Sequence, residues 1–245
     1  ELIQKVAQQK EENPHPIFDF EDLIDQKTII SVDRIDYSKG LIERFNAFEE
    51  FLKNNPEYHK HITDLQIACP CRMEIPAYKN LYELIDSKVD FINHEFSQDN
   101  WQPINCSHET VAHDDLMKIY LQSDICWVNS LRDGMNLVAK EFIAAQNPDN
   151  PGVLILSKYT GAAEQMSEAI IVDPENRGDM IKALKTALTM SKSERLERYK
   201  QLMQGLKSFD INDWRNAFLK DLRRAQVLPI FKSPLRNSSN RIVSY

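Results

Sequence analysis

No stretch of this sequence is apolar for the roughly 18 residues a membrane-crossing helix needs. The first residues, Glu1-Leu2-Ile3-Gln4-Lys5, lack the basic and apolar regions of a signal peptide. Positive charge is not in surplus either. The net charge of -7 argues against a general nucleic-acid binder, so neither a nucleic acid nor a membrane is an expected partner. Cysteine is scarce, with four residues in 245. Cys69 and Cys71 have no second pair at metal-site spacing, so no metal site is expected. All four cysteines lie in or beside apolar runs, which reads as buried free thiols in a reducing, cytoplasmic compartment. No repeat of fixed period is visible, and the chain opens on Glu1 rather than Met, so a fragment or a processed product is expected.

Short β-branched and apolar runs alternate with segments of helical periodicity. Strands are expected at Thr28–Val32, Leu65–Cys69, Ile104–Ser107, Ile125–Asn129, Val153–Ser157 and Ala169–Val172. Between and after them, helices are expected at Leu41–Asn54, Ile75–Val89, Asp114–Gln122, from near Asn136 onward, Gly161–Met166, Arg177–Met190 and Ser193–Leu206. This alternation predicts an α/β fold, a doubly wound parallel sheet with helices on both faces. One more amphipathic helix, Ile211–Gln226, carries Trp214, Phe218 and Leu222 at i, i+4 and i+8. The expected organisation is a connecting segment at 1–26, one domain over 27–210, a last helix at 211–226 and a peripheral tail at 227–245.

In a parallel sheet, loops that leave the strands lie at one edge, where ligands bind. Two such loops carry chemistry. Ser130 to Glu141 links a strand to a helix through Gly134, so the free N–H groups at the helix start can meet phosphate. Asp133 sits beside that position, and Glu141 is expected about two turns into the helix. Carboxylates there suit a ligand that also carries sugar hydroxyls, from which they accept hydrogen bonds. The bland alternative is a strand–helix turn with a solvated Asp. The second loop, Asp33 to Gly40, places Arg34 and Lys39 where both can converge on one anion. Two cations on a departing diphosphate would stabilise charge as it develops. Solvated surface cations are the alternative. Arg72 follows the next strand and adds a third cation at this edge, or forms a salt bridge with Glu74 or Asp64.

Ser31-Val32-Asp33-Arg34-Ile35-Asp36-Tyr37-Ser38-Lys39-Gly40-Leu41 and Leu131-Arg132-Asp133-Gly134-Met135-Asn136-Leu137-Val138-Ala139-Lys140-Glu141 resemble the two signature stretches of glycosyltransferase family 20, the trehalose-6-phosphate synthases. Pro151 to Ser157, Gly161-Ala162-Ala163 and Ala187 to Ser191 match as well. The resemblance runs from about Lys27 to Leu222 and covers the C-terminal half of the family's enzyme. It implies a GT-B architecture, two Rossmann-like domains across a cleft, with this chain as the nucleotide-sugar half. The family transfers glucose from UDP-glucose to glucose 6-phosphate with retention, without a metal or other cofactor. Carried over by position, Arg34 and Lys39 would bind the donor diphosphate. Asp133 would hold glucose hydroxyls, and the backbone of Gly134, Met135, Asn136, Leu137 and Val138 would meet sugar and diphosphate. Glu141 would bind the ribose, Val111 would lie by the uracil, and Arg72 would meet the acceptor phosphate.

The same resemblance implies an N-terminal acceptor domain that supplies a glycine-rich loop and a catalytic histidine. None of the six His in this chain takes that role, so the chain alone should bind donor without turning it over. The 211–226 helix falls where GT-B proteins send a last helix back to that domain. A homo-oligomer is one assembly the family reading allows. Two rival functions remain: a sister synthase acting on another phosphorylated acceptor, such as glycerol 3-phosphate, and a non-catalytic regulatory subunit that kept the fold.

Overall fold

The computed structural model describes residues 17–227. A helix fragment at the start of the 1–26 segment and the tail after Val227 lie outside the described residues. Six parallel strands form one sheet: β1 (Lys27–Arg34), β2 (Ile62–Cys69), β3 (Ile104–Ser107), β4 (Ile125–Val128), β5 (Val153–Ser157) and β6 (Ile170–Val172). Their order is β3-β2-β1-β4-β5-β6, the doubly wound order whose direction reverses between β1 and β4. Register is continuous across that point, with Ile29 opposite Ile125 and Ile30 opposite Cys126.

The central strands are apolar because both faces are covered. Successive side chains of a strand point to opposite faces, and the core divides accordingly. Ile29, Ile125, Trp127, Val153 and Ile155 pack with α1 (Leu41–Asn54), α2 (Pro76–Phe96) and α5 (Arg177–Thr189). Ile30, Cys126, Val128, Leu154 and Leu156 pack with α3 (His113–Gln122), α4 (Leu137–Ala145) and α6 (Lys192–Ser208). Phe18 and Leu23, which precede β1, join this second layer.

Several boundaries differ from the sequence expectation. Helix α2 runs on through Phe96, because Leu81, Ile85, Val89, Ile92 and Phe96 keep one face buried. Gly161–Glu164 is a 3-10 turn rather than a helix. The four thiols are free, but only Cys126 is buried. Cys69 ends β2, Cys71 follows it in a loop and Cys106 sits on the edge strand β3, so each keeps a side uncovered.

The chain divides into two compact units between Leu206 and Lys207. In the second, α7 (Ile211–Val227) stacks Trp214 on Phe218 with ring centroids 5.5 Å apart.

Candidate functional site at the carboxyl edge of the sheet

All strands are parallel, so the loops after β1, β2, β3 and β4 emerge at one edge. Arg34 is the last residue of β1 and is exposed there. Lys39 closes a 3-10 turn, Tyr37–Lys39, capped by Asp36, whose carboxylate accepts from the Ser38 N–H at 3.0 Å. That hydrogen bond is the main reason the Asp36 carboxyl lies below its ordinary range. Gly40 then turns the chain into α1 with φ 65°, a left-handed conformation that side chains disfavour.

The loop after β4 is fastened to this first loop. Leu131 and Arg132 both donate N–H bonds to the Ser38 carbonyl, at 2.7 and 3.2 Å. Asn129 Nδ2 donates to the Gly40 carbonyl at 3.0 Å. A side chain at Gly40 would bring its Cβ to 2.4 Å from the Asn129 carbonyl oxygen, so only glycine permits the approach. From the other side, Gly161 N–H donates to Asp133 O at 3.1 Å and Ala162 N–H to Met135 O at 2.8 Å. The segment from Leu131 to Asn136 is therefore held from two directions, as a site for a ligand needs.

Lys39 Nζ and Asp133 Oδ2 are 2.6 Å apart, each with under a fifth of its side chain exposed. Ser130 Oγ and Asn136 Nδ2 also donate to Asp133 Oδ2, at 3.4 and 3.1 Å. Burial acts to raise the Asp133 carboxyl, but the hydrogen bond and charge of Lys39 outweigh it and hold it below 3.8. Asn136 has φ 68°, and its Oδ1 accepts from the Ala139 N–H at 3.0 Å, which caps α4. The sequence reading used Asn136 only for its backbone. Its side chain both starts the helix and holds Asp133. An Asn directly before an apolar helical run is an N-cap signal.

Beyond the cap, Leu137 is exposed and Val138 half-buried at the start of α4. Glu141 lies four residues past Leu137, one turn into α4 rather than two, because the helix opens at Leu137. Burial raises its carboxyl above the usual range, opposed by His113, whose Nε2 is 4.0 Å away. His113 opens α3 and was not singled out in the sequence, where nothing sets it apart from other histidines. Val111, half-buried just before α3, packs on the second core layer.

Arg72 leaves the end of β2 in a left-handed conformation, φ 51°. It pairs with neither Glu74 nor Asp64. Its Nη1 donates to the Tyr78 hydroxyl at 2.6 Å, and its guanidinium lies 5.3 Å from that ring's centre.

Beneath this edge sits a charged cluster the sequence did not announce. Arg44 Nη1 reaches Asp33 Oδ2 at 3.2 Å with both side chains buried. Asp64 is fully buried nearby, and neither of its carboxylate oxygens has a hydrogen-bond partner. Burial pushes its pKa up to about 6, with Arg44 opposing and Asp33 adding to the rise.

The family profile of Glycosyltransferase family 20 matches residues 8–224. A trehalose-6-phosphate synthase of Cronobacter sakazakii is 42% identical over 224 residues, covering 91% of this chain and 46% of the relative. An E. coli protein solved with UDP-2-fluoro glucose is 40% identical with a TM-score of 0.85, over 91% of this chain and 49% of that one. A UDP-forming alpha,alpha-trehalose-phosphate synthase from Burkholderia xenovorans, solved with glucose-6-phosphate, is 38% identical at TM-score 0.85, with the same coverage, 91% and 49%. The chain thus spans about half the length of the relatives it matches. By its sequence, and by an all-parallel sheet that superposes on theirs, the chain belongs to glycosyltransferase family 20.

Proposed function

We propose that this chain is the donor-binding half of a retaining, UDP-forming trehalose-6-phosphate synthase, which passes glucose from UDP-glucose to glucose 6-phosphate. The observation that carries this is the juxtaposition of Lys39 with Asp133 at the switch point of the sheet, across two loops fastened to each other. An anion-binding cation and a hydroxyl-binding carboxylate side by side suit a sugar joined to a diphosphate. The relatives solved with UDP-2-fluoro glucose and with glucose-6-phosphate support the same donor and acceptor.

In this proposal Arg34 and Lys39 take the charge that grows on the leaving diphosphate, and no metal is required. Asp133 releases Lys39 to the diphosphate and accepts hydrogen bonds from glucose hydroxyls. The N–H groups of Gly134, Met135 and Asn136, and of Leu137 and Val138 at the start of α4, meet sugar and diphosphate, where the helix dipole favours negative charge. Glu141 accepts from the ribose and Val111 borders the base. Arg72 binds the acceptor phosphate. The acceptor attacks from the face the diphosphate leaves, and the leaving oxygen takes the acceptor's proton. Positioning and charge stabilisation then supply the rate. An N-terminal acceptor domain completes the cleft, and the enzyme works in the cytoplasm.

The test is calorimetric titration of this chain with UDP, UDP-glucose and GDP-glucose, beside Asp133→Ala. Uridine-nucleotide preference, with the variant weakening UDP-glucose but not UDP, is the expected result. Equal loss for UDP and UDP-glucose would remove the sugar from Asp133.

A further inference from the structure

Arg72 is an exposed side chain on a loop, and a free arginine loses substantial rotamer entropy when it is fixed on a ligand. Here it is already fixed. The turn that follows, closed by the Ile75 N–H on the Arg72 carbonyl at 2.9 Å, keeps its backbone at φ 51°. Its guanidinium then meets Tyr78 twice, through the 2.6 Å hydrogen bond and across the ring face. The Tyr78 hydroxyl donates in turn to Asp36 Oδ2 at 3.3 Å. Tyr37 packs edge-on against the Tyr78 ring, centroids 5.7 Å apart, and its own hydroxyl donates to the Ala77 carbonyl at 2.7 Å.

The choice of partner matters chemically. A carboxylate would orient Arg72 but also cancel its charge and compete with an incoming phosphate. A phenol orients the guanidinium by one of its five N–H donors and leaves the charge and the remaining donors available. The same hydroxyl ties Arg72 to Asp36, the cap of the turn that carries Lys39. One chain of contacts therefore runs from the acceptor-side arginine to the donor-side loop.

We propose that Tyr78 is a positioning residue that holds Arg72 ready for the phosphate of the acceptor. This rests on Arg72 being the acceptor-phosphate arginine, and the test separates the two. In the full-length enzyme, Tyr78→Phe keeps the ring and deletes the hydroxyl. With saturating UDP-glucose, the KM for glucose 6-phosphate should rise roughly three- to ten-fold, the scale of one hydrogen bond. Both kcat and the KM for UDP-glucose should stay within about two-fold, since the leaving diphosphate is bound by other residues. In an Arg72→Ala background the same substitution should change nothing further. An unchanged acceptor KM in Tyr78→Phe, while Arg72→Ala raises it, overturns the role of Tyr78. So does an equal rise in KM with and without Arg72. If Arg72→Ala itself leaves the acceptor KM unchanged, the assignment of Arg72 falls, and the role of Tyr78 with it.

Discussion

Asp64→Asn should stabilise the protein, and by an amount that grows with pH. Asp64 lies in β2 with no exposed surface, and both carboxylate oxygens lack a hydrogen-bond partner. Two buried carboxylates, Asp33 and Asp64, share one guanidinium, that of Arg44. When all three are charged the cluster carries one uncompensated negative charge, which burial makes costly. Burial accordingly raises Asp64 from 3.8 to about 6. A carboxyl whose folded pKa exceeds its unfolded value favours the folded state while protonated. That favour is complete below pH 3.8 and is lost as pH rises through 6. A shift of about two units at 1.36 kcal/mol each is worth about 3 kcal/mol. The neutral amide avoids this loss. Urea unfolding of wild type and variant should therefore differ by about 3 kcal/mol at pH 8 and by well under about 1 kcal/mol at pH 4. A difference that is flat across this range, or a variant less stable at pH 8 than at pH 4 relative to wild type, would refute the buried ionisation of Asp64.

Gly40→Ala forces a side chain into a left-handed conformation, about 1–2 kcal/mol by itself, and against the Asn129 carbonyl at 2.4 Å. Urea unfolding should show a loss beyond that range. Gly134→Ala meets nothing within 4 Å and should leave stability within about 0.5 kcal/mol; equal losses for the two would mean the loops are not fastened as described. In the full-length enzyme, Arg34→Ala or Lys39→Ala should lower kcat by roughly 100-fold or more, the scale of one transition-state donor. Near wild-type turnover would refute the diphosphate role proposed for that residue.

The sheet was legible because its signal is local and repeated. Strands such as Ile125–Val128 and Val153–Ser157 are buried on both faces, and a nearly continuous apolar run beside a helical period marks that environment. The edge loops were legible for a related reason: Arg34 ends a strand, Lys39 and Asp133 lie in the loops that follow two strands, and Glu141 stands in the helix that one of those loops opens. Boundaries were less so. The end of α2 at Phe96 depends on whether Ile92 and Phe96 find a core to face, which tertiary packing decides. Arg44 shows the limit more sharply. In the sequence it is one charged residue of a helix that already has a polar face, while in the fold it is fully buried against Asp33, a position eleven residues away on the neighbouring strand.

The pairing of Lys39 with Asp133 lies beyond any sequence pattern, since the two are 94 residues apart. It also changes what the site does before a ligand arrives. An unpaired lysine and an unpaired carboxylate, each mostly withdrawn from water, would both bear a desolvation cost. Paired at 2.6 Å they offset each other, and Asp133 stays ionised below its usual pKa. A diphosphate alone would draw Lys39 away and leave the carboxylate facing it. A sugar alone would find the carboxylate already occupied. Only a ligand that presents a diphosphate to Lys39 and hydroxyls to Asp133 together replaces both halves of the pair. If the proposed donor site is right, exchange of one internal ion pair for two matched contacts would favour an intact nucleotide sugar over either of its parts, and Lys39→Ala should narrow the difference in affinity between UDP-glucose and UDP in a calorimetric titration.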